Sequence, residues 1–317
     1  MERRAFGSTG LDIGVLTYGA MTVATDPGLR DGVAPSLLAA LEAGVNLVDT
    51  ARVYPGSEEI VGATIRAWSG PAPHVSTKVR SRARDAYRFA CPVSEAYPPA
   101  AIRESVEDSL KALGRDVLDI VHLHQWHYGW THDLTWLEML HALRDEGKLR
   151  LIAVSVQDHE HDAALELVSR GLVDGVQAIV HLFESRPANA LLPLCAERGV
   201  GAIARCVLDS GGLTGGLSAE DFTARTFLKH APHADYAARL AALEAAFVPR
   251  VAESLPELAL RFTASLPGVS TLTLGLPERR FVTDAAQSLA KGPLPAEAVT
   301  AIRREHVWSR NFYEKLL

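Results

Sequence analysis

PAAIRESVEDSLKALGRDVLDIVHLH, residues 99–124, is the stretch that decides the fold. Over 99–114 it keeps Ile102, Val106, Leu110 and Leu113 on one face at helical spacing, then stops at Gly114. Residues 117–124 follow as a short run of apolar and β-branched side chains, the length of a strand buried on both faces. An amphipathic helix feeding a buried strand is the unit from which parallel α/β folds are built.

The same rhythm extends in both directions. Upstream, 13–20, 45–50 and 74–79 read as strands one to three, separated by helices over 33–44 and 57–68. Ser36 or Pro35 stands near the start of the first helix, Gly44 ends it, and Ser57 is a candidate cap for the second. Downstream come a helix within 134–147, strands over 149–155, 174–180, 200–207 and 269–275, and helices in 158–170, 187–198, 235–247 and 253–265. Eight strands in βα alternation predict an α/β chain closed into a (β/α)8 TIM barrel, one domain over 1–317. The Gly-rich insertion between Leu208 and Leu258 is placed for a lid or a cofactor clasp.

Composition narrows the function classes. With 317 residues, 48% hydrophobic and 22% charged, the chain has ample core material and is far from the disordered regime. A net charge of −6 argues against a nucleic-acid partner. The densest basic stretch (Lys78, Arg80, Arg82, Arg84, Arg88) is interrupted by Asp85 and Tyr87 and reads as a solvated loop, or else as a patch for an anion. Cys91, Cys195 and Cys206 form no paired motif, and there is neither a secretory leader pattern nor an 18-residue apolar run. The expectation is a cytoplasmic protein with no metal and no membrane partner; self-association is left open.

In such barrels chemistry sits at the C-terminal ends of the strands. Asp49 ends strand two, Tyr54 follows in the next loop, Lys78 lies near the end of strand three, and His124 ends strand four. The set suits carbonyl reduction. Hydride arriving at carbon leaves charge on oxygen, which needs a proton and an electrostatic cradle. A phenol could supply the proton if an ammonium beside it favours the ionised form, an aspartate holding that ammonium in turn. Imidazole could place the oxygen. Each residue also has an ordinary structural role open to it: a turn cap, a loop anchor, a solvated lysine, a satisfied histidine. His122 shares the face of His124.

The chain resembles the aldo-keto reductase superfamily over essentially its whole length. FGSTGLDIGVLTYGAM (6–21) is similar to that family's N-terminal β-hairpin and first strand, NLVDTARVYPGSEEIVG (46–62) to the segment that supplies aspartate and tyrosine, and STK (76–78) to the one that supplies lysine. ESVEDSLKALGRDVLDIVHLHQW (104–126) matches the histidine segment, and GKLRLIAVS (147–155) resembles the one whose serine, here Ser155, binds the nicotinamide carboxamide. The resemblance implies an NADPH-dependent reductase of a small-molecule aldehyde or ketone. In it Tyr54 is the general acid, Lys78 with Asp49 tunes it, and His124 orients the carbonyl; Gln177 would be a second carboxamide partner.

Departures stand beside the matches. Val156 replaces a common asparagine, Arg205 stands where many members stack a tyrosine on the nicotinamide, and Ala285 replaces another asparagine. Arginine can itself stack and reach a phosphate. Arg279 and Arg280 are the candidates for a 2′-phosphate, or else lie solvated, so NADH remains open. Trp126 and Tyr128 could form a substrate wall for a sugar-like or cyclic compound, or anchor the loop. Two rival readings remain: a dehydrogenase oxidising a sugar hemiacetal or alcohol, and a non-catalytic cofactor-binding scaffold.

Overall fold

The computed structural model describes residues 1–21, 27–83, 91–225, 228 and 231–308. Arg84 and Arg88 of the basic stretch lie outside them. Strands β1 (Arg3–Ala5) and β2 (Asp12–Gly14) form an antiparallel hairpin. The next eight strands are β3 (Leu16–Gly19), β4 (Leu47–Asp49), β5 (His74–Val79), β6 (Leu118–Trp126), β7 (Leu149–Val156), β8 (Gly175–Ile179), β9 (Gly201–Arg205) and β10 (Thr271–Gly275). They pair in parallel in that order, and β10 closes on β3.

Helices between the strands cover the outside: α1 (Arg30–Glu42), α2 (Ser57–Ala67), α3 (Val93–Ala96), α4 (Pro99–Leu113), α5 (Thr135–Asp145), α6 (Leu165–Ser169) and α7 (Leu191–Arg198). After β9 come α8 (Ala219–Ala224), α9 (His233–Phe247) and α10 (Leu255–Ser265), and after β10 come α11 (Arg279–Ala290) and α12 (Ala296–Glu305). α4 buries Ile102, Val106, Ser109 and Leu113; Gly114 at φ +64° turns the chain out of it. Leu110, expected on the buried face, only borders it, because the spacing 102, 106, 109, 113 follows the barrel surface more closely.

Three expectations need correction. The apolar run 13–20 is two strands, since Ile13 belongs to the hairpin and the barrel strand starts at Leu16; both are buried, so hydropathy cannot separate them. Ser57 does not cap α2. Its hydroxyl accepts from Thr50 Oγ1 at 2.7 Å and donates to the Ala20 carbonyl at 3.2 Å, while Gly56 at φ +73° makes the turn. α1 begins at Arg30, ahead of Ser36 and Pro35, which both lie within it.

Two apolar clusters result. The large one lies between strands and helices. The smaller one, inside the barrel, joins Leu47, Ile120, Ala153 and Ile203 to Phe6 and Ile13, so the hairpin plugs the N-terminal end. Phe6 fits because Gly175 and Gly201 leave room for its ring: a Cβ on Gly201 would lie 2.4 Å from it. Gly201→Ala is expected to lower stability by about 1–3 kcal/mol, the usual range for overpacking. Turnover should persist, since the plug is at the end opposite the strand C-termini. Urea denaturation with a parallel activity assay checks both halves.

Candidate active site

Side chains two apart along each barrel strand point inward, so Asp49 (β4), Ser76 and Lys78 (β5), His122 and His124 (β6), Ser155 (β7), Gln177 (β8) and Arg205 (β9) share the interior or its mouth. Lys78 Nζ donates to Asp49 Oδ2 at 2.6 Å and to the Thr50 carbonyl at 2.9 Å. Both side chains of the ion pair are buried, Lys78 at 1% exposure. Tyr54 is set in a tight turn by hydrogen bonds from its amide to the Ala51 carbonyl and from the Ser57 amide to its own carbonyl. Its ring centroid is 5.7 Å from Lys78 Nζ and 5.7 Å from the His124 ring, edge to face. The four residues singled out in the sequence are therefore neighbours.

Their electrostatics follow from burial and charge. Burial pushes Asp49 upward, but the Lys78 charge and the hydrogen bonds from Lys78 and Ser76 outweigh it and hold the carboxyl below its ordinary value. Burial lowers Lys78, and Asp49 is the chief group keeping the ammonium charged. Burial and the Lys78 charge depress His124 to about 3, so its imidazole is neutral around pH 7. Tyr54 is raised, by burial first and by the Asp49 charge second, with Arg205 opposing. The expected downward pull of the ammonium does not prevail against burial and the Asp49 charge. At rest Tyr54 is a protonated phenol.

Ser155 and Gln177 are register partners on adjacent strands, both nearly fully buried. Gln177 Nε2 is buried without a hydrogen bond, and so is Gln157 Nε2, just beyond Val156. Native proteins seldom leave such donors unmatched. A carboxamide offers both an acceptor and donors, so these residues fit a nicotinamide. Arg205 Nη2 donates to the Val156 carbonyl at 3.0 Å and to Asp158 Oδ1 at 2.8 Å, tying the loops after β7 and β9 together. Its neighbour Cys206 ends β9 at φ +56°. A cavity of about 480 Å3 lies behind the Gly-rich loop, lined by Gly212, Thr214, Tyr236, Ser254, Glu244 and Glu253 among others.

Other candidates lie elsewhere. Arg279 and Arg280, at the start of α11, are exposed and paired with Glu42 at 3.1 Å and Glu278 at 2.9 Å. Arg52 pairs with Glu58. Trp126 does not line the mouth. Leu123 pairs with Val154 but Trp126 with Val156, so β6 holds one extra residue, which turns Trp126 outward. There it is fully buried against Trp136 (5.2 Å between rings), and its indole N–H donates to the Ala163 carbonyl. Tyr128 is 66% exposed and stacks on His127 at 4.5 Å. Sequence reasoning passed over Ser76, Gln157 and Asp158; strand parity from Lys78 and Ser155 was the signal available for the first two.

Comparison with known proteins places this geometry in context. A family model described as the Aldo/keto reductase family matches residues 15–305. The chain is 26% identical to L-galactose dehydrogenase of Arabidopsis thaliana over 87% of its own length and 84% of that protein's. It is 28% identical to the NADH-specific methylglyoxal reductase of Escherichia coli (strain K12), covering 69% of this chain and 71% of that one. Among solved structures, aldo-keto reductase AKR11C1 from Bacillus halodurans superposes with a TM-score of 0.78 at 24% identity, covering 98% of this chain and 99% of that one.

Proposed function

The chain belongs to the aldo/keto reductase family and is an NAD(P)H-dependent oxidoreductase, and from that premise we propose that it reduces an aldehyde or ketone with NADPH, Tyr54 serving as general acid. The observation that carries this reading is the buried Lys78–Asp49 pair beneath the Tyr54 ring, with a neutral His124 edge-on to it. Bound reduced nicotinamide supplies the hydride. Ser155 and Gln177 would hold its carboxamide, with Arg205 beside them at the end of β9.

The protein's own part is proton transfer and positioning. His124 Nδ1 is buried without a partner. A neutral ring there is better off with its proton on Nε2, which hydrogen-bonds the substrate oxygen. The Tyr54 hydroxyl gives its proton to that oxygen as charge develops. Lys78 spends two of its three N–H donors on Asp49 and Thr50; the third, with the ammonium 5.7 Å from the Tyr54 ring centre, is left to stabilise the phenolate that remains. In the oxidative direction Tyr54 is the base. The one-barrel chain acts in the cytoplasm on a small carbonyl compound, and the exposed Met21, Val53 and Tyr128, each just past a strand C-terminus, offer its apolar part a rim. The likeness to a sugar dehydrogenase supports a sugar-like or cyclic substrate.

For the cofactor's 2′-phosphate the candidates are Arg279 and Arg280. A second reading, NADH, is favoured by one observation: both guanidiniums are already paired with carboxylates. Fluorescence titration with both reduced cofactors decides. NADPH use predicts tighter NADPH binding that weakens about tenfold or more in Arg279→Ala/Arg280→Ala, the effect of losing a charge-assisted contact. Equal or tighter NADH binding, unaffected by those changes, selects the second reading.

A further inference from the structure

Behind the Lys78–Asp49 pair, deeper in the barrel, lies a second line of polar side chains for which the four-residue site gives no reason. Ser76 is two residues before Lys78 on β5, in register with Asp49 on β4; His122 is two residues before His124 on β6, in register with Lys78. Ser76 and His122 are fully buried. Ser76 Oγ is 2.8 Å from Asp49 Oδ1 and 3.0 Å from His122 Nε2. We propose that His122 and Ser76 are positioning residues which, through a fixed line of hydrogen bonds, hold the Asp49 carboxylate so that Lys78 stays charged and aimed at Tyr54. This proposal rests on the role assigned above to Tyr54.

The direction of the line follows from donor arithmetic. An ionised carboxylate only accepts, so the single Ser76 proton goes to Asp49. Ser76 Oγ must then accept, and His122 Nε2–H is the donor within reach. Burial and the Lys78 charge hold His122 down to about 4, so the ring is neutral and carries one proton. That proton is assigned to Nε2, which has Ser76 Oγ at 3.0 Å, while Nδ1 is buried without a hydrogen bond. The carboxylate is thereby gripped from both ends, Oδ1 by Ser76 and Oδ2 by Lys78. Without the imidazole donor the serine hydroxyl would be free to rotate, and Asp49 would lose a hydrogen bond that favours its charged form.

The charged and titratable groups around the pair enter the expected pH behaviour. They are His122 and His124 from β6, Tyr54 from the loop after β4, Arg205 from β9 and Glu58 from α2. Of these, His122 alone is linked to Asp49 through a serine. Removing Ser76 lets Asp49 rise and Lys78 fall, so the acid limb of the kcat profile moves up and the alkaline limb moves down. The profile narrows.

The test compares steady-state kcat and KM over pH for Ser76→Ala, His122→Leu, their combination, His122→Gln and His122→Asn, with thermal unfolding and cofactor fluorescence titration on each. The expected result is a fall in kcat of about tenfold or more for Ser76→Ala and His122→Leu, from a lost hydrogen bond to a charged group. KM and cofactor affinity stay unchanged, and the pH limbs draw inward by about one pH unit. The combination should be no worse than Ser76→Ala alone, since both act through one hydroxyl. His122→Gln, whose amide can reach Ser76, should keep most of the rate. His122→Asn, equally polar but shorter, should not; this pair remains informative even if the apolar variants fail to fold. Unchanged limbs in Ser76→Ala, additive losses in the combination, or equal rates for the glutamine and asparagine variants overturn the proposal. Tyr54→Phe in the same series separates the two levels. If it is inactive while Ser76→Ala is normal, only the hydrogen-bonded line is refuted; if it is active, the underlying reading goes too.

Discussion

Tyr54→Phe should lower kcat for carbonyl reduction by about 10²–10⁴-fold, the span associated with a positioned general acid, while reduced-cofactor binding stays at its wild-type level. The ring itself survives the change, so its edge-to-face packing on His124 at 5.7 Å is retained. Loss of rate would then report on the hydroxyl and not on collapse of the loop. Burial and Asp49 hold the phenol above its ordinary value, so the proton is present throughout the neutral range and reduction should be flat there, loss of the phenol proton setting in only on the alkaline side. Steady-state kinetics against a panel of aldehydes, with cofactor titration alongside, is the measurement. A variant within tenfold of wild type would mean that another group donates the proton; normal binding with no turnover in either protein would favour the scaffold reading.

Lys78→Met should be the most damaging substitution for stability, at about 3–5 kcal/mol, because it strands a buried carboxylate without its cation. The pH dependence gives the cause away. In the wild type Asp49 is held below its unfolded value, so its contribution is present above about pH 4, the ordinary aspartate value, and is lost as pH falls further. Without Lys78, burial drives Asp49 above its unfolded value, and the sign reverses: the variant is penalised at neutral pH and recovers as pH falls through the raised folded value. Between pH 7 and 4 the variant should gain unfolding free energy while the wild type stays level from this group, and below about pH 4 the wild type should lose it. Asp49→Asn/Lys78→Met should regain much of the stability and none of the rate. Parallel slopes would show that the pair is not charged in the folded protein.

Much of this was legible in the sequence, for physical reasons that can be named. Periods of 3.6 and 2 located helices and strands, and the βα alternation left few topologies besides a closed barrel. Asp49, Lys78 and His124 could be proposed because strand ends at the mouth are where polar side chains need a reason. Tyr54 could be proposed from its place in the loop just after strand two, and the resemblance of its segment gave it the role of general acid. What escaped were effects of pairing and of local φ. Ile13 and Leu16 sit in one apolar run but in two sheets. Cys206 leaves β9 at a positive φ that no propensity scale assigns to cysteine. The acids facing Arg279 and Arg280 include one, Glu42, that is remote in sequence and met only through packing of α1 beside α11. Ser76 and His122 look like strand residues until Asp49 is seen to need a second donor.

The extra residue in β6 has a wider reach than the placement of one indole. It acts as a change of parity along this one strand: up to His124 its even positions look into the barrel, and from Trp126 they look out. Substrate loops are the natural currency of diversification on barrels, and a loop transplanted here is read in whichever frame its insertion point imposes. A segment exchanged with both boundaries beyond Trp126 keeps the indole as a fixed floor under the new loop. One that begins at Leu123 and omits the extra residue would swing a bulky aromatic towards His124 and Tyr54, closing the mouth instead of reshaping it. The permitted crossover points on this strand are therefore set by a single unpaired residue, not by sequence similarity around the loop.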